Sequence, residues 1–337
     1  MRKLLYWLNV KDFIGNSEKS GIMLVSEVGE LTSMLNYKKI KDKPKIFRSL
    51  TGLPPAAFGQ LVEPFKQAYA QTRDEADVQR KTPRQRRRGG GRKATLESIE
   101  DKLVFILFYF RLYPIQTVQG FLFDLSQAQA NDWIHRLSPV LNTALGYEMQ
   151  LPARKAADLE QVLAECPALE FIIDGTERPI QRPKDKQGQR DYYSGKKKGH
   201  TVKNNVITDK RSKKIKGLSP TVFGKKHDKK LADQEQYRFP PGSRLWKDTG
   251  YQGYEPEGVI TYQPKKKPKG GQLTQAEKTQ NQIISSERIG VEHSIGAVKV
   301  FHIVRDIYRN HKQDFEDLIM ETACGLHNLR LDFPVTA

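Results

Sequence analysis

From about residue 167 onward the sequence is patterned as strands, and this second half limits the possible folds more than any other feature. The run LEFIIDGTERPI predicts a buried strand that ends at Asp174. Further on, RLWK is a short strand that delivers Asp248 to a glycine-containing turn. The predicted order is three strands, a helix over 228–236, two strands and a long helix, which is typical of a mixed α/β domain with a central sheet, here residues 160–332. The remaining predicted strands are HTVKNNVITD, KIKGLSPTVF and GVITYQP.

The first half is patterned as helices. A segment with little pattern (1–44), expected to be loosely ordered, precedes a small helical region (45–79) and three helical segments within 96–150. The first helix of the small helical region is expected to end at Gly52. A short helix, a turn and a polar-fronted helix capped by Ser126 match a helix-turn-helix layout, in which the second helix enters the major groove. A three-helix bundle without a DNA-binding role fits the same pattern. The predicted helices are Leu96–Tyr109, Ile115–Phe123 and Ser126–Leu145, and the candidate DNA contacts are Gln127, Gln129, Asn131 and Arg136.

Positive charge dominates the chain. The net charge is +18 and the isoelectric point is about 9.7, which favours an anionic polymer, nucleic acid first, as the partner. The charge is densest in a linker at 80–95, where RKTPRQRRRGGGRK holds eight positive residues and no acid. We predict a solvated linker that also contacts phosphates. Its candidate DNA contacts are Arg84, Arg86, Arg87, Arg88, Arg92 and Lys93.

Several classes of protein are disfavoured. The two cysteines, Cys166 and Cys324, are too few for a cysteine-rich zinc site and suit a reducing compartment. The most apolar window, Leu103–Phe110, is too short to span a bilayer, so we expect a soluble, intracellular protein without a membrane partner. The sequence lacks a G-x-S-x-G elbow, a Walker-type loop and a G-x-G-x-x-G after a strand, which argues against acyl transfer, NTP hydrolysis and dinucleotide binding.

The stretch SSERIGVEHSIGAVKVF (285–301) predicts one largely enclosed helix. At about 100° per residue, four of its side chains lie within about 60° of each other on one face: Arg288, Glu292, Ile295 and Lys299. An ordinary Arg–Glu pair four residues apart would explain part of this pattern. With Asp174 and Asp248 at strand ends, however, Glu292 would complete an all-oxygen site for two hard cations, Mg²⁺ or Mn²⁺, of the kind that activates water on a phosphodiester.

Five short motifs occur in a specific order: Asp174-Gly175-Thr176 with Arg178-Pro179, Tyr192 to Lys197 running into His200, His227-Asp228, Asp248-Thr249-Gly250-Tyr251, and Arg288 to Glu292 with Lys299. Together they resemble the DDE transposases of bacterial insertion sequences, most like the IS-five family and its Harbinger-type eukaryotic relatives. The resemblance covers residues 45–332. One position departs from it, because the related pattern has a Tyr three residues before the Arg, where this chain has Ser285. That Tyr is not a metal ligand, so the departure concerns the subgroup.

The resemblance implies roles for particular residues. The metal-binding catalytic triad would be Asp174, Asp248 and Glu292, with two Mg²⁺ or Mn²⁺ ions. His227 and Asp228 match a motif near the active site whose role the sequence does not explain. The implied phosphate-contacting residues are Arg288, Lys299, Lys196 and Lys197.

The fold implied is an RNase H-like α/β catalytic domain behind an all-α helix-turn-helix domain. The implied reaction is cleavage of double-stranded DNA at terminal inverted repeats, followed by strand transfer of the 3′-hydroxyl ends into target DNA. A homodimer or higher oligomer on DNA and a location at the bacterial nucleoid, in the cytoplasm, follow from the same resemblance. Two alternatives are a nuclease or domesticated protein that cuts without joining, and a DNA-binding regulator with an inactive catalytic domain. An RNA-binding role is less favoured, because no RNP-like aromatic motif is present.

Overall fold

A computed structural model describes residues 35–80, 82, 94–268 and 270–334, except for the side chains of Ile289, Val291 and Glu292. The predictions for residues 1–34 lie outside this described part. So do those for the linker arginines and lysine at positions 84, 86, 87, 88, 92 and 93.

The N-terminal part consists of short helices packed through aromatic side chains. Helices α1 (Tyr37–Ile40), α2 (Pro44–Thr51) and α3 (Pro55–Val78) follow one another closely. The predicted end of α2 at Gly52 is confirmed, since this residue has a φ of 77°, a left-handed conformation that glycine adopts without strain.

Three further helices occupy the region in which a helix-turn-helix is predicted. They are α4 (Ile99–Leu112), α5 (Gln116–Leu122) and α6 (Gln127–Tyr147). Ser126 is confirmed as the N-cap of α6, where it forms a capping box. The predicted first helix, Leu96–Tyr109, is displaced by three residues, because the Ser98 side chain accepts the backbone N–H of Asp101 and starts the helix there.

The second half is built on a mixed sheet, as predicted. Its central strands, in spatial order, are β3 (Gly199–Asp209), β1 (Glu170–Pro179), β6 (Arg244–Lys247) and β7 (Ile260–Tyr262). Strand β1 is antiparallel to β3 and parallel to β6, and β6 is parallel to β7. The short strands β2 (Tyr193–Ser194), β4 (Ile215–Leu218) and β5 (Val222–Phe223) all pair with β3.

Two strand predictions need correction. Strand β1 does not end at Asp174 but continues to Pro179, because its pairing with β3 extends from Phe171 to Pro179. The predicted third strand is interrupted between β4 and β5. Pro220 lies at this break and has no backbone N–H to donate to a ladder.

Helices cover both faces of the sheet. On one face α7 (Ala156–Ala164) and α9 (Asp228–Glu235) enclose the larger apolar core with Phe171, Ile173 and Leu245. On the other face Ile172 and Trp246 pack against α10 (Gln275–Val298). The helix predicted over 228–236 is confirmed as α9. Four helices were not predicted from the sequence: α1, which lies in the segment expected to be loosely ordered, α7, α8 (Lys186–Tyr192) and α11 (Phe315–Asp332).

Helix α10 is longer at its start and shorter at its end than predicted. It begins at Gln275 after a Thr274 capping box, and it ends at Val298. The prediction that the stretch from Ser285 is largely enclosed is wrong. Its outer face is open to solvent, whereas Ser294 and Val298 are buried.

The helical half and the sheet half pack together, so the described residues from Asn36 onward form one compact unit. Helix α11 lies against α6, where the Asn142 amide donates to Thr322 at 3.1 Å. Arg111 of α4 donates to the backbone carbonyl of Val300, just beyond the end of α10. None of the described helices has the length and apolar character needed to cross a membrane.

Candidate active site

The two predicted catalytic aspartates lie side by side, because they occupy equivalent positions along two neighbouring parallel strands. In the register of β1 and β6, Ile173 lies opposite Lys247, so Asp174 and Asp248 are the next residues on each strand. Side chains alternate along a strand, so Asp174 shares the sheet face of Ile172, which α10 covers. The fold therefore brings both carboxylates to the edge of one helix.

Local hydrogen bonds fix each aspartate. Oδ1 of Asp174 accepts the backbone N–H of Gly175 at 2.9 Å. Oδ1 of Asp248 accepts the backbone N–H of Gly250 at 2.7 Å. In addition, the Gln263 side chain donates to the backbone carbonyl of Asp248. These bonds use one oxygen of each carboxylate, and they hold Asp174 within β1 and Asp248 at the start of the turn that follows β6.

The charges at this site repel each other. Burial, and after it the negative charge of Asp248, raises the pKa of Asp174 from 3.8 to about 6. The Arg288 guanidinium and the hydrogen bond from Gly175 act in the opposite direction without cancelling this rise. Ionised Asp174 is therefore destabilised in the folded protein, and a cation placed between the two carboxylates would relieve the repulsion.

This repulsion predicts that Asp174→Asn stabilises the metal-free protein at neutral and alkaline pH. The folded pKa lies above the ordinary value, so the ionised carboxylate destabilises the fold above about pH 6, and the effect fades as the pH falls toward about 4. In EDTA at about pH 8 the variant should melt at a higher temperature than the wild type. The gain should be at most a few kcal/mol, since one pKa unit corresponds to about 1.4 kcal/mol.

The control for this pH dependence is Asp233→Asn. Asp233 lies on the exposed side of α9 and pairs with Lys229 at 2.5 Å. Its replacement should not raise the melting temperature at any pH. An Asp174→Asn variant that melts at or below the wild-type temperature at about pH 8 would contradict the predicted repulsion.

A cleft of about 250 Å³ opens beside Asp174. Lys196 and Lys197, from the turn between β2 and β3, line one side of it, and Ile295 and Lys299, at the end of α10, line another. Burial lowers the pKa of Lys299, and the neighbouring charge of Lys197 lowers it further. The cleft thus combines the carboxylates of Asp174 and Glu177 with three lysines, a combination suited to a phosphodiester beside a metal ion.

Helix α10 carries the third predicted acid. Arg288 acts electrostatically on Asp174, and Ile295 and Lys299 line the cleft, so three of the four predicted face residues do meet at the site. Position 292 lies on α10 four residues after Arg288 and three before Ile295, which places it on the same helix face. The side chain of Glu292 is not among those described, and its membership of the triad stays a prediction.

The donor set fits a hard divalent cation. Two partly buried carboxylates that repel each other offer the oxygen ligands that Mg²⁺ and Mn²⁺ prefer. Within the described side chains, no three acidic, histidine or cysteine residues form a cluster that could bind a metal ion. A third ligand from position 292 would complete the set that the sequence predicts.

The predicted His227-Asp228 pair also lies at this site. His227 is the N-cap residue of α9 and Asp228 is its first residue. The Asp228 carboxylate forms an ion pair with Lys203 of β3, at 2.9 Å. Sequence reasoning did not identify Lys203. The signal that could have found it is the polar run from Lys203 to Asn205, which lies between the apolar residues Val202 and Val206 of the strand.

The predicted contacts in the helix-turn-helix region separate into two groups. The Gln116 amide donates to Asn131 at 2.7 Å, and the Gln127 amide donates to Gln116, also at 2.7 Å, so these side chains form one polar row across α5 and α6. Gln129 and Arg136 do not join it. The Gln129 side chain accepts the Ser126 N–H in the capping box. The Arg136 guanidinium lies over the Trp133 ring, with its Cζ 5.0 Å from the ring centroid.

Comparison with known families agrees with this architecture. Residues 173–328 match the family described as DDE superfamily endonuclease, and residues 94–146 match the family described as helix-turn-helix of DDE superfamily endonuclease. No solved structure is significantly similar to the chain. The fold and the site thus define a divalent-metal-dependent endonuclease with an RNase H-like domain behind a helix-turn-helix domain, which confirms the predicted fold class.

A relative narrows this class. The chain is 28% identical over 287 residues to a protein of Microchaete diplosiphon described as a probable transposase for insertion sequence element IS702. The alignment covers 85% of this chain and 94% of that protein. The two family matches and this relative together support a DDE transposase of an insertion sequence, as the motifs predict, and thus an enzyme of that class.

Proposed function

We propose that this transposase cleaves the terminal inverted repeats of its element and joins the released 3′-hydroxyl ends to target DNA. The observation that carries the proposal is the placement of Asp174 and Asp248 on adjacent parallel strands, beside a cleft lined by lysines. The order of its motifs further supports placement in the IS-five family. Its catalytic domain would resemble that of the Harbinger-type relatives of this family.

The proposed catalytic groups are Asp174, Asp248 and Glu292, which would hold two Mg²⁺ or Mn²⁺ ions. When bound, such ions activate the attacking oxygen and stabilise charge on the phosphate and the leaving oxygen. The chain's own cations orient the DNA backbone. Lys299 and Lys197 lie where a scissile phosphate entering the cleft would meet them, and the remaining proposed phosphate contacts are Lys196 and Arg288.

The proposed domains are a small helical region (45–79), the helix-turn-helix domain (96–150) and the catalytic domain (160–332). Recognition of the element's ends is assigned to the helix-turn-helix domain. The polar row of Gln116, Gln127 and Asn131 supports this, because amide side chains at the start of a second helix are suited to reading base edges. Double-stranded DNA is the proposed partner, for both the ends and the target. Joining two ends requires at least a dimer on DNA, and the site of action would be the nucleoid in the bacterial cytoplasm.

The basic linker is proposed to contact the DNA backbone. Replacing the four arginines at positions 84, 86, 87 and 88 with glutamine should weaken binding to every DNA sequence. It should also flatten the salt dependence of binding: the slope of log K against log salt concentration should change by about 0.9 for each phosphate that the arginines no longer neutralise. Fluorescence anisotropy across a salt series measures this slope. Lysine at the same four positions keeps the charge and should keep the slope. A changed sequence preference with an unchanged slope would contradict a backbone-contacting role.

The test of the proposed function uses DNA carrying the element's own ends. The full-length protein is incubated with these ends and a target plasmid in Mg²⁺ or Mn²⁺. We expect nicked or cut ends together with joined products. Cut ends without joined products, even when the ends are supplied already cleaved, would favour a nuclease that does not transpose. Binding without cutting in either metal would favour a DNA-binding regulator.

A further inference from the structure

A carboxylate outside the proposed triad lies between the glycines that follow the two aspartates, Gly175 in β1 and Gly250 in the turn after β6. Asp228 begins α9, and its side chain packs against the backbone at Gly175 and at Gly250. A Cβ at position 175 would lie 2.7 Å from Oδ1 of Asp228, and a Cβ at position 250 would lie 2.9 Å from Oδ2. Real Cβ atoms do not approach other atoms this closely, so both motifs hold glycine where Asp228 needs the space.

The Asp228 carboxylate is itself held by a buried ionic cluster. Nζ of Lys203 lies 2.9 Å from Oδ1 of Asp228 and 3.5 Å from Oε1 of Glu177. Lys203 also donates to the backbone carbonyl of Lys226 at 2.9 Å. The side chains of Lys203 and Glu177 are only 8% and 7% exposed, so solvent screens these interactions weakly. Asp228 is thus anchored to β3 and β1, which carry Lys203 and Glu177.

A second contact joins the same elements. The Asn205 side chain donates to the backbone carbonyl of Asp228 at 3.3 Å and accepts the Tyr251 hydroxyl at 2.8 Å. Tyr251 is fully buried and follows Gly250 in the turn that Asp248 begins. Strand β3 therefore holds the start of α9 and the turn after Asp248 in one network, while the Asp228 carboxylate fills the gap between that turn and Gly175.

We propose that Asp228 is a positioning residue, which sets the separation of the Asp174 and Asp248 carboxylates by packing between Gly175 and Gly250. The proposal deepens the proposed function and rests on it for its catalytic consequence. The pairing with Lys203 argues against direct metal binding by Asp228, because the lysine already compensates its charge. Asp228 acts on the two aspartates through its contacts with Gly175 in β1 and with the turn at Gly250. Lys203 fixes Asp228 in this position.

The first test compares Asp228→Asn with the wild type in cleavage of the element's ends. Asparagine keeps the size of the side chain and removes the charge that Lys203 holds. The maximal cleavage rate should fall by about 10–100-fold, as for groups that orient metal ligands, with little change in KM or in DNA affinity in EDTA. Asp233→Asn, on the exposed side of the same helix, is the control and should cleave at the wild-type rate. An unchanged maximal rate for a folded Asp228→Asn variant would overturn the proposal.

The second test is a double-mutant cycle on the stability of the metal-free protein, measured by chemical unfolding. Gly175→Ala should destabilise the wild type, because its Cβ meets Asp228, and should cost much less in an Asp228→Ala background, since the three atoms nearest to that Cβ all belong to Asp228. Gly59→Ala is the glycine control, since a Cβ there meets nothing within 4 Å. Additive effects of Gly175→Ala and Asp228→Ala would overturn the packing role.

The two tests separate failure of this inference from failure of the proposed function. If the wild type cuts and joins DNA while the cycle is additive, the proposed function stands and the positioning role falls. If the wild type cuts nothing in any metal, the proposed function falls, and the unfolding cycle still decides whether Asp228 packs against Gly175. Rescue of an Asp228→Cys variant by Mn²⁺ in preference to Mg²⁺ would identify Asp228 as a metal ligand and overturn the positioning role.

Discussion

Replacing Glu292 with Gln is expected to abolish DNA cleavage while leaving the affinity for end DNA unchanged or higher. The substitution keeps the size of the side chain and removes one negative charge. A proposed metal ligand is removed, so the cleavage rate should fall by roughly 10²–10³-fold or more. DNA affinity should not fall, because a negative charge beside the phosphate backbone disfavours binding. Cleavage of labelled ends and anisotropy binding in EDTA measure the two effects separately.

The matched control lies on the same helix. Glu287 precedes Glu292 on α10 and pairs with Lys210 at 2.6 Å, with its side chain 44% exposed. Glu287→Gln should cleave at nearly the wild-type rate, since a half-exposed pair of this kind contributes little. Equal losses of cleavage in the two variants, or a Glu292→Gln variant that cuts normally, would contradict the placement of position 292 in the triad.

The second large effect is expected on stability, from Arg178. This side chain is 3% exposed and connects β1 to three other parts of the catalytic domain. It donates to the Asn204 side chain at 2.8 Å, to the Thr221 hydroxyl at 3.0 Å and to the backbone carbonyl of Glu316 at 2.8 Å. Burial lowers the pKa of the Arg178 guanidinium to about 10, so it stays protonated at neutral pH.

Arg178→Ala should therefore reduce the free energy of unfolding by about 3 kcal/mol or more. The substitution removes three hydrogen bonds that a buried charged group donates, each contributing about 1.5–3 kcal/mol, and opens a cavity. Lys at this position should restore only part of the stability, because an ammonium group cannot reproduce the planar fork of a guanidinium. Urea unfolding followed by circular dichroism gives the free energies.

Arg182→Ala provides the comparison for Arg178. Arg182 lies four residues further along and donates to the exposed Gln189 side chain at 2.8 Å. Its replacement should change the free energy of unfolding by no more than about 0.5 kcal/mol, as for other surface positions. Similar values for Arg178→Ala and Arg182→Ala would contradict a buried bracing role for Arg178.

The sequence predicts those parts of the fold that depend on local patterns. The caps at Ser126 and Gly52 and the strand ending before Asp248 follow from capping and turn preferences, and the structure confirms them. Helix α11 was missed because its buried positions are spread widely around it, so no polar face marks it as amphipathic. The continuation of β1 past Asp174 depends on pairing with β3, a long-range contact that a local pattern does not contain.

The site shows the same division. Asp174 and Asp248 were predictable because an acid directly after a short apolar run is a local signal. The packing of Asp228 between Gly175 and Gly250 joins residues that are distant in sequence, and only the sheet register and the start of α9 bring them together. Gln129 and Arg136 do not join the polar row across α5 and α6, because Gln129 takes part in the capping box and Arg136 lies on Trp133.

The central claim is that Asp174 and Asp248 form a metal-dependent DNA-cleaving site. Its most direct test is cleavage of the element's end DNA by the wild type and by Asp174→Ala, each in Mg²⁺, Mn²⁺ and EDTA. We predict cutting by the wild type in a divalent metal, none in EDTA, and none by the folded, DNA-binding variant in any condition. Tight binding by the wild type without cutting in either metal, or equal cutting by the variant, would contradict this claim.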